Sequence, residues 1–249
     1  MPKHIFLLLC LLFVPFLVLS AADDAPKTRI LIVDDETAGY YRFEGTAALM
    51  QKTLNAVKGN ETVICGDAEV LATDVIFDYK VLFLHFKNYK RLKRNDAAKA
   101  NIDKFVRDGG GLFVFHFACG AFEDWTDFDK IIGRVWEPDA QKCPAKQYHD
   151  RYGKFTVRII NKEHPITADM TDFETSDELY HCFKPSEVSI TVLAEAVSNQ
   201  DKQPYPIAFI LTYGKGRVFH TALGHDAASV SSAGFVQLLK NAVSWLAAD

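Results

Sequence analysis

Three well-separated motifs hold the side chains of this 249-residue chain best suited to chemistry. Phe115-His116-Phe117-Ala118-Cys119-Gly120 offers an imidazole and a thiol just after an apolar run. Asp177-Glu178-Leu179-Tyr180 places two carboxylates and a phenol in one short segment, and Gly224-His225-Asp226 adds a second imidazole beside a carboxylate. Imidazole and carboxylate are the usual general acids and bases near neutral pH. Together they also suit zinc or a similar divalent ion. His116, Glu178 and His225 are the candidate metal ligands, and His149 or His220 could add a further one. No HExxH or CxxC spacing builds such a site locally. The alternative is a hydrogen-bonded imidazole–carboxylate network that holds no metal. Cys119 would be a nucleophile if a helix N-terminus lowered its pKa, although a small buried cysteine is the commoner arrangement.

The surrounding pattern predicts how these groups are held. Leu112 to Phe115 is a short continuous apolar run, the mark of a strand buried on both faces. His116 then falls at its carboxyl end, the edge where open α/β sheets bind ligands. A sharp strand-to-helix turn there presents a side chain to a cleft. Thr28–Val33 and 79–84 are similar runs, and 61–65 is a shorter one. Helical stripes cover 43–57 and 96–107, and a third, through Trp125, Phe128, Ile131 and Ile132, ends at Gly133. Alternating strand and helix indicate a parallel sheet with crossovers.

The second half differs. Residues 134–151 form a polar excursion, expected to lie over the cleft. Phe155, Val157 and Ile159 alternate, and 187–194 is another strand candidate. Segments 207–212 and 217–222 flank Tyr213-Gly214-Lys215-Gly216, a hairpin signal. An amphipathic helix over 230–246 closes the chain, and no repeat or linker divides it.

At the amino end, Lys3 and His4 precede an apolar run from Ile5 to Leu19 and the small residues Ser20-Ala21-Ala22. This is the pattern of a secretory signal peptide over 1–22, which gives a domain at 23–249 and an exported, periplasmic or extracellular protein. Contact with a membrane is then only through the transient signal. A formal charge of −4 without a basic tract argues against nucleic acid as a partner. Cys65, Cys119, Cys143 and Cys182 have no spacing that favours one pairing, and no obligatory disulfide is expected.

The motifs GGGLFVFH at 109–116, FEDW at 122–125, IIG at 131–133, HPIT at 164–167, DELY at 177–180 and YGKGRVFHTALGHD at 213–226 occur in this order. In these the chain resembles the ThuA-like family, named for trehalose utilisation, within the class I glutamine amidotransferase-like fold. The resemblance implies a flavodoxin-like three-layer α/β sandwich, with a mainly parallel central sheet and an antiparallel extension. That fold normally carries a cysteine at the elbow, where this chain has His116, so glutamine hydrolysis is not expected. Tyr41-Arg42-Phe43 replaces a His-Asp-Trp-like cluster often found after the family's first strand.

The family context implies a saccharide ligand, and a keto sugar suits acid/base chemistry without a strong nucleophile. The expected catalytic group is His116, Glu178, Tyr180, His225 and Asp226, with Glu178 or Asp226 as base and Tyr180 as donor. Expected substrate contacts are Asp35, Asn88, Trp125, His149 and Asp177. The alternative is a sugar-binding or accessory protein that kept the fold and lost the chemistry.

Overall fold

A computed structural model describes residues 27–34, 45–88 and 91–248. The expected signal segment 1–22, the Tyr41-Arg42-Phe43 stretch and the candidate Asp35 lie outside the described residues. The first half contributes strands β1 (Thr28–Asp34), β2 (Asn60–Cys65), β3 (Val81–His85) and β4 (Gly111–Phe115). The second contributes β5 (Gly153–Ile159), β6 (Phe173–Asp177), β7 (Thr191–Val197), β8 (Pro204–Tyr213) and β9 (Gly216–Thr221). They form one mixed sheet in the order β2-β1-β3-β4-β9-β8-β7-β5-β6.

The first five strands of that order run parallel, and the rest pair antiparallel. This is the expected parallel sheet with an antiparallel extension. Every residue of β3 and β4 is buried, so both faces of the central sheet are covered. Because the parallel strands share a direction, their carboxyl ends form one edge. Asp34 pairs with His85, and Phe115 with Thr221, along that edge.

Helices follow the apolar stripes. The first, α1 (Thr46–Asn55), buries Ala47, Met50 and Leu54. The second, α2 (Asn95–Arg107), buries Ala98, Ile102, Phe105 and Val106. A short α3 (Phe128–Ile132) follows and ends at Gly133. The closing helix, expected over 230–246, is α5 (Ala233–Ala247), and a separate short α4 (Ala227–Val230) precedes it. Ser232 separates the two by capping α5, its hydroxyl accepting from the Phe235 N–H.

One element is absent from the expectations and one expectation is corrected. Strand β6 escapes the sequence pattern, because Phe173-Glu174-Thr175-Ser176-Asp177 is polar and pairs only at the sheet edge. Cys143 and Cys182, for which no obligatory disulfide is expected, form one with Cα atoms 5.1 Å apart. Their neighbours in the chain bring them together. The excursion after α3 returns along 179–184, with N–H groups of Lys184 and Glu137 donating to Val135 and Cys182 carbonyls. On the way back, Asp150 and His181 N–H groups donate to Leu179 and Tyr148 carbonyls. A separation of 39 residues hides this pairing from sequence spacing.

Candidate active site and metal centre

The turn after β4 gives His116 a φ of +45°, an unusual left-handed conformation for a residue with a Cβ. Such strain concentrates where a side chain must be presented at a set angle. The backbone then forms a 3-10 turn over His116–Gly120. This is an elbow with an imidazole in the presenting position.

The His116 ring is fixed at both nitrogens. Its Nδ1 lies 2.6 Å from the Ala222 carbonyl, which can only accept, so Nδ1 carries the proton. The Tyr180 hydroxyl is 3.0 Å from Nε2 and is then the donor. Burial pushes the His116 pKa down to about 3, so the ring is neutral with its Nε2 lone pair facing the phenol. A backbone carbonyl fixing the far nitrogen is how metal-binding imidazoles are commonly oriented.

Glu178 and His225 complete the group. One ligand atom from each of His116, Glu178 and His225 can be chosen so that all lie within 4.8 Å of one another. Ligand atoms around a tetrahedral zinc stand about 3.4 Å apart, given bonds of about 2.1 Å. The set is thus slightly open, and movements of about an ångström would close it. His225 Nδ1 is 3.0 Å from Glu178 Oε2, without the alignment of a good hydrogen bond. Burial opposes charge on His225, but the neighbouring carboxylates, Glu178 foremost, outweigh it and leave its pKa raised. Burial likewise raises Glu178, while His225 and His149 pull harder in the other direction and the net shift is downward. An imidazolium–carboxylate pair is therefore the favoured state of these two without a bound cation.

The polar wall around them comes from the returning excursion. His149 Nε2 lies 3.7 Å from Glu178 Oε2, and His149 bridges Tyr180 in an antiparallel contact. The Tyr180 ring also meets Trp136, with centroids 5.1 Å apart, and Trp136 stacks on Tyr148 at 4.9 Å. Tyr152, absent from the sequence expectations, is 41% exposed with its ring 5.4 Å from His225. No local pattern marked it.

Other expected site residues are engaged elsewhere. Asp177 is fully buried and accepts from the backbone N–H groups of Glu178, Gly224 and His225, and from the Ser229 hydroxyl. It thereby holds two members of the trio by their backbones. Asp226 caps α4, one carboxylate oxygen accepting from the Ser229 N–H. Asn88 bonds Asn95 and the Leu92 N–H, and Trp125 stacks on Phe128 at 5.2 Å. His220 donates from Nδ1 to the Ile132 carbonyl, which can only accept, and packs on Phe209 away from the trio. Cys119 is fully buried and its thiol is pushed up to about 12 by that burial, which opposes its use as a nucleophile.

Comparison with known proteins agrees with this architecture. A ThuA-like protein from Parabacteroides merdae superposes with a TM-score of 0.70 at 21% identity, covering 90% of each chain. One from Bacteroides uniformis gives 0.70 at 19% identity, covering 91% of this chain and 94% of its own. A GMP synthase-like protein from Thermoplasma acidophilum gives 0.54 at 13% identity, covering 90% and 96%. At such identities these likenesses establish the fold alone. Among curated protein sequences there is no match. The family model described as trehalose utilisation matches residues 29–246, nearly the whole described chain, and the chain therefore belongs to the ThuA family.

Proposed function

We propose that the chain is an exported enzyme that acts on a carbohydrate or oxidised keto sugar by acid/base, metal-assisted chemistry without a cysteine nucleophile. In this reading it is one domain over 23–249, on an amidotransferase-like three-layer sandwich. The carrying observation is the approach of His116, Glu178 and His225 to within 4.8 Å at the carboxyl edge of the sheet. Their chemistry fits a divalent ion: His116 offers a neutral Nε2 lone pair, and Glu178 a charged oxygen. An ion bound there would polarise a carbonyl oxygen as a Lewis acid.

The chain's own residues supply the remainder. A keto sugar has an acidified C–H beside its carbonyl, and a carboxylate can take that proton. Glu178 is suited to take it and to return it later in the reaction. The Tyr180 hydroxyl can turn from His116 to donate to developing oxyanion charge. Glu178 is either this base or the third metal ligand, and dependence on the metal separates the two. Export is supported by the Cys143–Cys182 disulfide, which suits an oxidising compartment.

The test is turnover of 3-keto-trehalose and 3-keto-glucosides by the purified protein, with chelator and after zinc is restored. Glu178→Gln should lower turnover by at least about 100-fold, the scale of one general base, while Cys119→Ala should keep it. Chelation should lower turnover and zinc should restore it. Saccharide binding without turnover by the wild type would establish the accessory reading instead.

A further inference from the structure

A second polar constellation stands at the same sheet edge, outside the trio. Asp34 ends β1, His85 ends β3, and the two are paired in register. His85 Nδ1 is 3.0 Å from Asp34 Oδ1, and its Nε2 is 2.8 Å from the hydroxyl of Thr46, the first residue of α1. The carboxylate must accept, so Nδ1 donates to it and Nε2 accepts from the threonine. That relay sets the tautomer and fixes the ring.

Burial is graded along the relay. Thr46 is fully buried and the His85 side chain is 3% exposed, whereas the Asp34 side chain keeps 18%. One Asp34 oxygen is therefore held from behind. No lysine or arginine among the described residues pairs with the carboxylate, and its Oδ2 has no partner there. A carboxylate anchored by one oxygen, with the other left over, is prepared to accept from an incoming donor.

Its position is also that of a ligand site. In the order β2-β1-β3-β4, the winding reverses between β1 and β3, the crevice where doubly wound sheets receive ligands. The His85 ring stacks on Phe115 with centroids 4.8 Å apart, and Phe115 precedes His116. The relay and the elbow thus share a wall. Asp34 lies two strand spacings from Phe115, about 10 Å.

We propose that Asp34, aimed by the His85–Thr46 relay, is a ligand-binding carboxylate that accepts hydroxyl hydrogen bonds from the end of a polyol remote from the reacting carbon at His116. The inference rests on the carbohydrate reading above. Asp34 binds substrate, and His85 and Thr46 are positioning residues. A ligand that engages both ends must reach across about two strand spacings, or roughly 10 Å.

Calorimetric titration with trehalose and 3-keto-trehalose tests this on wild type, Asp34→Asn and Thr46→Val. A hydrogen bond to a charged group predicts at least about ten-fold weaker binding for Asp34→Asn. Thr46→Val should weaken binding by a smaller factor, because it frees the ring without removing the carboxylate. In turnover assays the loss should fall on KM more than kcat, which a general loss of structure would not produce. Wild-type affinity in a folded Asp34→Asn protein overturns the inference and leaves the functional reading standing. If Asp34→Asn does not fold, undiminished affinity in Thr46→Val overturns it equally. Failure of the wild type to bind either saccharide overturns the functional reading and the inference together.

Discussion

Opening the Cys143–Cys182 bridge should destabilise the protein substantially while leaving the trio assembled. The bridge closes a loop with a sequence separation of 39 residues, which contains β5, β6 and part of the excursion. In the chain-entropy model, a loop of that length restricts the unfolded state by about 4 kcal/mol. For a domain of this size, roughly 2–4 °C of melting temperature accompanies each kcal/mol, giving a fall of about 8–16 °C. The four backbone bonds that pair the excursion with 179–184 remain, so His149 and Tyr180 keep their bridge. Calorimetric melting of the Cys143→Ala/Cys182→Ala protein, beside wild type reduced with excess thiol, measures the effect. Urea unfolding at fixed temperature provides the free-energy difference directly. A loss under about 1 kcal/mol, with the wild-type thiols shown to be oxidised, would refute the loop-closure argument.

Two further outcomes follow from the backbone around the trio. Burial pushes Asp177 up to about 6 from an ordinary 3.8, against the opposing effect of its four donors. Because the folded value is above the unfolded one, this group's stabilising contribution is complete below pH 3.8 and is lost as pH rises through about 6. The urea-derived stability of metal-free wild type relative to Asp177→Asn should therefore fall by about 3 kcal/mol across that window; a constant or rising difference would contradict the assignment. Gly224 has φ +131°, and a Cβ there would meet the Phe115 ring at 2.0 Å. Gly224→Ala should cost about 3 kcal/mol or more through strain and overpacking, read as a lower urea midpoint, and a neutral result would show that the loop before His225 can shift.

Local pattern determined much of the scaffold. Ile30–Val33, Val81–Leu84 and Leu112–Phe115 are apolar without alternation, which only a strand covered on both faces tolerates. The stripes of α2 and α5 lie three and four residues apart because that spacing returns side chains to one helix face. The motif glycines also carried meaning: only a residue lacking Cβ fits Gly224 against Phe115. From such signals the carboxyl-edge position of His116 was legible, as were the residue types that meet there.

Tertiary structure decided what those residues do to one another. His116 receives its tautomer from a carbonyl 106 positions away and its phenol donor from 64 away. No local spacing encodes either. DELY offers two carboxylates in one short segment, yet Asp177 is turned inward onto backbone donors and Glu178 alone reaches the trio. The disulfide partner, the Asp34–His85–Thr46 relay and the edge strand β6 were hidden for the same reason. A strand's face or a helix's stripe is set by neighbours within a turn or two, whereas a hydrogen bond between strand ends exists only after the chain has chosen its strand order. The sequence specifies that order through the summed packing of the whole core, and no short stretch of residues displays it.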